Sequence, residues 1–375
     1  MKRLLQNSKC SKVRRHQLIK YLLYKLGYAL LTLWGVVTVI FFLFTILPGD
    51  PARMMLDQNE DPEQLAKVRA KYGFDKPIST QYAYYLNDLS LLSLHANDEQ
   101  NYTSLASGKY SATPLFEIGN STLAVKYPYL RESFQKTGKP VTQVIAETLP
   151  NTIVLAVSAI VIAICIGVFL GIISAQMRDT WVDKTIQIVS TLGMSVPSFF
   201  SAILFAWLFG YALHKYTNLN MTGSLYEMDD FGEHVHIQWK NLILPALVLG
   251  IRPLAVVIQL MRNSLLEVYN QEYIRTAKAK GLTTYQIIKN HALKNALNPV
   301  VTAVSGWFAS MLAGAVFVEY IFGWNGLGKE IVDALNTLDL PIIMGAVLII
   351  ATLFVIINIL VDFIYGWLDP KIRLR

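Results

Sequence analysis

Six stretches of the chain are almost purely apolar, at 26–47, 152–177, 185–213, 241–261, 295–318 and 340–361, and only Arg252 places a charge inside any of them. Each is long enough for a helix to cross a bilayer, which takes about 20 apolar residues. The pattern therefore predicts six transmembrane helices. Between them the polarity changes character. Residues 48–148 form a large polar insertion, in which Leu65, Val68 and Tyr72 recur at helical spacing over 61–74. The stretch after it, 75–140, is rich in Ser, Thr, Asn, Tyr and Gly and predicts loops and short strands. Residues 214–240 read as an acidic loop.

Composition agrees with this reading. Of 375 residues 53% are hydrophobic and 16% charged, with mean hydropathy +0.39. Soluble domains carry nearer a quarter charged residues. The fold class expected is an all-α polytopic membrane protein. Cys10 and Cys165 are predicted to be unpaired thiols, since one lies in a basic tail and the other in an apolar run. The first apolar run is longer than the 7–15 residues of a cleaved signal core and predicts a retained helix.

The net charge of +7 gains meaning from its placement. With the N-terminus in the cytoplasm, 19 of the 33 Lys and Arg fall in the inner segments 1–25, 178–184, 262–294 and 371–375. The outer segments hold 13 over nearly twice the length, and Arg252 is the remaining one. The positive-inside rule then puts both termini and 262–294 in the cytoplasm. The layout expected is a basic tail (1–25), a first span (26–47), an outer insertion (48–148), a core of five spans (149–370) and a short tail (371–375).

Several motifs carry weak chemistry. "GWNGLGKE" (323–330) spells the G-x-x-x-x-G-K of a phosphate loop, but Glu330 stands where Ser or Thr must hold magnesium, and no strand precedes it. A glycine-rich turn between the last two spans accounts for it better. His234 and His236, beside Asp229, Asp230 and Glu233, have a generic spacing for metal, and a solvated acidic loop is the default. Arg252, followed by Pro253, lies mid-span, where a charge lines a wet path or snorkels beside a kink. Glu319, at the outer end of the fifth span, raises the same question. Gly167 with Gly171, and Gly306, Ser310 with Gly314, set small residues on one helix face and predict close helix packing.

The segment with most to say is "EYIRTAKAKGLTTYQIIKNHALKNALNP" (272–299), a basic helical pair between two spans. Glu267 to Lys280 is built from helix formers, with Tyr269, Tyr273 and Ala277 four apart and Ile274 beside them. Lys278 and Lys280 suit the last turn, and Gly281 provides a stop. Thr283 and Gln286 fit a capping box that starts a second helix. Ile288, Ala292 and Ala296 make its stripe, and Asn298-Pro299 is predicted to end it. A loop tethered to membrane at both ends is an odd place for a DNA reader, so no nucleic-acid partner is expected. A surface helix would carry bulkier apolar residues. A small apolar face favours docking in a groove of a cytoplasmic protein.

This loop resembles the "EAA" loop of ABC-importer permeases, in the form found in the oligopeptide, dipeptide and nickel branch. Here it reads "YIRTAKAKGL" and "HALKNA". "LPGDPARMML" (47–56), "KYGFDKPISTQY" (71–82), "TLPNTIVLA" (148–156), "FGWNGLG" (322–328) and "NILVDFIYGWLDPKIR" (358–373) are similar to the first, or B-type, permease subunit. The usual R-D-x-P before the sixth span stands here as Leu338-Asp339-Leu340-Pro341.

The resemblance implies a type I importer permease in a bacterial inner membrane, paired with a second permease. It further implies two ATPase subunits below and an extracytoplasmic substrate-binding protein above. The coupling site would be Tyr273, Arg275, Thr276, Ala277, Lys278, Ala279, Lys280, Gly281, Leu282, His291 and Leu293, with Arg252 and Glu319 on the path. No catalytic residue and no cofactor of its own is expected; ATP and magnesium would serve the partners. Cargo would be di- or oligopeptides, or alternatively nickel or another small solute. An ion-coupled carrier is disfavoured because Asp362, near a helix end, is the nearest thing to an intramembrane carboxylate. A membrane-anchored sensor would not need six spans.

Overall fold

The computed structural model describes residues 2–46, 51–54, 62–98, 101–229 and 233–368. In chain order the helices and strands are α1 (Lys2–Ile46), α2 (Pro51–Met54), α3 (Pro62–Tyr72), α4 (Ile78–Leu89), β1 (Leu92–Ala96), β2 (Ala112–Ile118), β3 (Ser121–Lys126) and α5 (Val141–Gln176). Then come α6 (Trp181–Ser195), α7 (Ser198–Phe205), α8 (His214–Thr217), β4 (Tyr226–Met228), β5 (Val235–Ile237), α9 (Lys240–Tyr269) and α10 (Glu272–Ala279). The chain closes with α11 (Thr284–Ile287), α12 (Leu293–Gly314), α13 (Val316–Phe322), α14 (Leu327–Asn336) and α15 (Leu340–Leu368).

Four helices are long and apolar enough to cross a membrane unbroken: Leu23–Thr45 within α1, then α5, α9, and Leu340–Asp362 within α15. The count reaches six when each of two bent pairs is taken as one crossing. The expected third span, 185–213, is one of these. It bends by 108° between α6 and α7. The cause is local: Val196 precedes Pro197 and is extended (φ −80°, ψ 131°), because the proline ring disfavours helix at the residue before it. The rest of this arm, Ala206–Ala212, is π-helical. The fifth span bends by 58° between α12 and α13. The expected stop at Asn298-Pro299 is absent, since α12 runs through Pro299. Packing outweighs the lost backbone bond there, with Ala296 and Val300 both buried. The tail at 371–375 lies outside the described residues.

The chain divides into two compact units. The first comprises Met1–Val144 with Ala334–Val355 and contains the insertion. Its helix α3 buries Leu65 as the periodicity predicts, and Gly73 ends that helix at φ +71°. Phe41, Tyr85 and Val37 form a small apolar core with Met344 and Leu348. The three strands form an antiparallel sheet in the order β1-β3-β2, with Leu94 opposite Leu123 and Phe116 opposite Leu123 on the other side. The sheet is inverted with respect to ordinary amphipathicity. Ser93, His95 and Lys126 are buried under it, while Leu92, Leu94, Phe116, Ile118 and Val125 are exposed.

The polar underside is fully bonded. Asp88 accepts hydrogen bonds from the hydroxyls of Tyr102 (2.7 Å) and Tyr110 (2.8 Å) and from Arg131 Nε (3.3 Å). Its carbonyl accepts from the Tyr129 amide (2.8 Å) and from Lys126 Nζ. Burial, then the charge of Asp88, pushes the Tyr110 hydroxyl pKa up. Asp339, the residue before α15, accepts from the Ser133 hydroxyl and the amides of Phe134 (3.1 Å) and Gln135 (3.3 Å). The Asp retained in the L-D-L-P sequence thus ties the last loop of the insertion to the final span.

The second unit comprises Ile145–Asp333 with Ile356–Arg375. Its helices α5 and α9 touch closely. A Cβ on Gly167 would fall 2.7 Å from Val257 Cγ1, and one on Gly171 would fall 2.7 Å from Met261 Cβ. The packing read from this glycine pair is therefore present. Of the second small-residue series, Gly306 has open space where its Cβ would be, and the surroundings of Gly314 lie outside what is described.

Candidate coupling site

The membrane helix α9 does not stop near residue 261. It runs on to Tyr269, and a two-residue joint separates it from α10. The single helix expected over Glu267–Lys280 is thus two. Gln271 is extended (φ −72°, ψ 147°), and the Asn270 side chain bonds back to the Leu266 carbonyl (3.1 Å), which closes the first helix.

Helix α10 ends as the sequence dictates. Gly281 is left-handed (φ +79°), its amide bonds the Lys278 carbonyl (2.9 Å), and the Leu282 amide bonds the Ala277 carbonyl (3.3 Å). This pair of bonds is a Schellman cap, with Leu282 and Ala277 in one apolar cluster. The next helix starts on the predicted capping box: Thr283 Oγ1 accepts from the Gln286 amide (3.4 Å), and Gln286 Oε1 accepts from the Thr283 amide (2.9 Å). A π-helical turn, Ile288–Ala292, then joins α11 to α12.

The small apolar face expected to meet a partner turns inward instead. Ile274 and Ala277 are buried with Met261, Leu265, Ile287, Ala292 and Ala296. Tyr269, Leu282 and Leu293 pack against the same cluster. These residues shape the hairpin. Burying a side chain such as Ile274 is worth about 1.5–3 kcal/mol, enough to fix α10 on α9 and α12. The Asn295 amide also donates to the Tyr273 hydroxyl (2.7 Å), pinning α10 to the first turn of α12. What remains outside is Arg275, Thr276, Lys278, Ala279, Lys280 and His291, with Tyr273 and Tyr285. Lys289 Nζ lies 5.7 Å from the Tyr285 ring. The outer surface is therefore cationic with two aromatic rings.

Just above the hairpin sits a contact that nothing in the local sequence announces. Arg262, on α9, donates to Asp183 through Nε (2.7 Å to Oδ1) and through a terminal nitrogen (2.6 Å to Oδ2). Asp183, in the first turn of α6, also accepts from the Ser174 hydroxyl of α5 (2.5 Å) and the Asp179 amide (3.0 Å). Gln187 holds that serine from the other side (3.1 Å). Three helices meet at one buried carboxylate.

The two residues expected on a path, Arg252 and Glu319, are placed differently. Arg252 is exposed and lines a cavity of about 80 Å³ with Trp307, Ser310 and Pro253. Helix α9 passes through Pro253 unbroken. Glu319 is fully buried. Its Oε2 accepts from the amides of Gly328 (2.7 Å) and Lys329 (3.2 Å) at the start of α14. The G-x-x-x-x-G-K string thus does end in an anion-accepting helix terminus, and the chain's own carboxylate fills it. The turn is anchored to α5: Trp324 Nε1 donates to the Asn151 carbonyl (3.0 Å), Asn151 Nδ2 to the Asn325 carbonyl (2.7 Å), and the Leu327 amide to Thr152 Oγ1 (2.8 Å). His236 lies in the β4–β5 hairpin opposite Glu227, and Asp229 accepts from the amides of Glu233 and His234. Asp230 lies outside the described residues. Among the described residues no group of three or more His, Cys, Asp or Glu could hold a metal ion.

Apolar helices long enough to cross a membrane, with a cationic helical hairpin slung between two of them, define a polytopic membrane protein. The chain belongs to the family of binding-protein-dependent transport system inner membrane components, whose profile matches residues 167–374. The N-terminal profile of the same membrane components matches residues 18–103. It is 32% identical over 369 residues to the dipeptide transport system permease protein DppB of Alkalihalophilus pseudofirmus, covering 95% of this chain and 100% of that one. It is 35% identical to a putative peptide transport system permease protein of Brucella abortus, over 89% and 92% of the two chains. With the di/tripeptide transport system permease protein DppB of Pseudomonas aeruginosa the figures are 31%, 95% and 99%. Among solved structures it is similar to a chain from inward-facing conformations of the MetNI methionine ABC transporter (TM-score 0.47, 15% identity, 62% of this chain and 100% of that one). Membership carries the all-α type I permease fold and a multi-pass place in the inner membrane. It also makes this chain a transport component that works with ATPase and substrate-binding components.

Proposed function

We propose that this chain forms one half of the membrane pathway of a peptide importer, paired with a second, similar permease and driven by two ATPase subunits. The observation that carries the proposal is the hairpin 270–292. It is helical, bent at Gly281, pinned at Tyr273–Asn295, and tethered to a span at each end. Those are the requirements of a lever that converts closure of the ATPases into rocking of the permease halves. ATP and magnesium belong to the partners. The basic face of Arg275, Lys278, Lys280 and His291, with Tyr273 and Tyr285, is the docking surface, on the cytoplasmic side together with both termini. Arg252 lines the path, and Glu319 borders it while capping α14. Peptide cargo is supported by the relatives, which are named for dipeptide, di/tripeptide and peptide transport. The exposed apolar sheet of the insertion is the surface for the binding protein that delivers cargo. Exposed apolar side chains gathered on one sheet suit a contact surface.

The test is uptake by the assembled transporter in proteoliposomes containing ATP. Labelled di-, tri- and oligopeptides are expected to accumulate, and Gly281→Pro is expected to stop accumulation. If no ATPase co-purifies and Gly281→Pro imports at the normal rate, the lever reading is wrong. Nickel uptake without peptide uptake would replace the cargo and leave the lever intact.

A further inference from the structure

Arg252 stands at the middle of the apolar run 241–261, and it is the one charge inside any of the six runs. A charge at that depth is costly and persists where an anion or a wet cavity meets it. Its own chain supplies no anion. Among the described residues Arg252 makes no hydrogen bond and no ion pair. The two buried acids of its unit are engaged elsewhere, Asp183 by Arg262 (2.6 Å) and Glu319 by the Gly328 amide (2.7 Å).

What Arg252 meets is a cavity of about 80 Å³. Val196, at the 108° bend between α6 and α7, lines it, and the bend sets α7 against α9. Ser198 and Ser201 enter from α7, and Trp307 and Ser310 from α12. Ser201 is only 7% exposed, and among the described residues the hydroxyls of all three serines are without a hydrogen bond. A guanidinium and three unused hydroxyls, carried by three helices, therefore line one chamber, and no carboxylate does. Gln259 follows Arg252 by seven residues, two turns along the same face of α9, and carries the polar stripe on toward the hairpin.

These donors describe a carboxylate receptor. A guanidinium holds a carboxylate through two parallel N–H···O bonds, and hydroxyls donate to the same oxygens. The chamber exceeds the about 10–15 Å³ that one water needs, and falls well short of the about 300 Å³ of a site that encloses a small molecule. It fits one terminal group of a longer cargo.

We propose that Arg252 receives the C-terminal carboxylate of a peptide in transit, with Ser198, Ser201 and Ser310 as further donors; this rests on the peptide-importer reading above. Every linear peptide with a free C-terminus carries that group whatever its sequence, so one fixed cation serves many cargoes. The contact discriminates between free and blocked C-termini.

Uptake by the assembled transporter in proteoliposomes containing ATP provides the test, with each peptide saturating the binding protein so that rates report the membrane step. The probes are trialanine, trialanine amide and Ala-Glu-Ala amide. Wild type is expected to import trialanine about tenfold faster than its amide, the worth of one charge-assisted hydrogen bond. Arg252→Gln is expected to bring that ratio to about one. Arg252→Lys keeps the charge without the two-pronged geometry and is expected to keep about threefold. Equal thermal unfolding of the wild-type and variant transporters certifies assembly. A ratio untouched by Arg252→Gln overturns the proposal. So does an equal loss of both substrates, which would set Arg252 against an acid of the second permease. Ala-Glu-Ala amide imported as fast as trialanine would overturn the C-terminal assignment in favour of any carboxylate. A wild type that imports no peptide removes the importer reading and this proposal together, whereas one that imports both trialanine forms equally removes this proposal alone.

Discussion

Arg262 grips Asp183 with two nearly equal hydrogen bonds, 2.7 Å and 2.6 Å, although 79 residues separate them. Through this pair α9, which feeds the hairpin, is fastened to the junction of α5 and α6. Asp183 is almost wholly buried, at 3% side-chain exposure. Removing its partner strands a carboxylate, and breaking a buried pair from one side costs about 3–5 kcal/mol. Arg262→Met is expected to lose that much in thermal unfolding of the purified protein. Arg262→Met with Asp183→Asn is expected to recover part of it. If the double variant is no more stable than Arg262→Met alone, the stranded-charge account fails.

Gly281 has open space where a Cβ would lie, so its constraint is conformational. At φ +79° an alanine costs about 1 kcal/mol, whereas asparagine tolerates this region better. Gly281→Ala is expected to reduce transport mildly and Gly281→Asn less. Gly281→Pro removes both the φ and the amide bonded to Lys278, and is expected to uncouple ATP hydrolysis from uptake. Equal transport by the alanine and proline variants would exclude a role for the bend.

Two glycines at the start of α14, Gly326 and Gly328, leave no room for a Cβ. A Cβ on Gly328 would fall 2.5 Å from Val316 Cα, and one on Gly326 would fall 2.4 Å from Glu319 Oε2. The first clash is with backbone and the second with a capping side chain. Gly328→Ala is therefore expected to be the more damaging, judged by yield of folded protein. Glu319→Ala loses the α14 cap, worth about 0.5–2 kcal/mol, and Glu319→Gln keeps an accepting oxygen and most of the stability. A glutamine variant as unstable as the alanine variant would show that the charge, not the acceptor, matters.

The insertion has a built-in acid sensitivity. His95 Nδ1–H donates to the Thr103 carbonyl (2.8 Å), and Nε2 lies 2.8 Å from the Ser93 hydroxyl. Burial, aided by the charge of Lys126 and opposed by the Thr103 bond, lowers its pKa from the ordinary 6.5. The unfolded chain therefore takes up a proton near 6.5 that the folded chain refuses until lower pH. Stability of the insertion is expected to be full above that value and to decline as pH falls below it. Hydrogen exchange of β1 and β3 across pH 5–8 would show it, and His95→Asn would flatten the curve. An unchanged slope in the variant would assign the effect elsewhere.

Much of the coupling hairpin was legible because its determinants are local. Gly281, Thr283 and Gln286 act within four residues of themselves, and each takes its predicted role. Its facing was not legible. The stripe of Ile274 and Ala277 looks the same whether it awaits a partner or packs on Met261 and Leu265 of the same chain. The kink at Val196-Pro197 had a signal in the proline, masked by an unbroken apolar run. The clamp at Asp183 had none, because a bond across 79 residues leaves no periodicity. The short strands expected over 75–140 are present, but their inner face follows no ordinary preference: Ser93 and His95 of β1 are buried and bonded while Leu92 and Leu94 are exposed.

The π-helical turn at Ile288–Ala292 sets a phase. One residue of an α-helix turns the chain by about 100°, and a π turn carries a surplus residue into an otherwise α-helical path. Removing one residue from that turn would leave α10, α11 and α12 intact as helices. It would swing the azimuth of the cationic face by roughly a quarter-turn or more about the axis of α12. The compass bearing of the hairpin is therefore held by a single surplus residue, independently of what the hairpin's own side chains are.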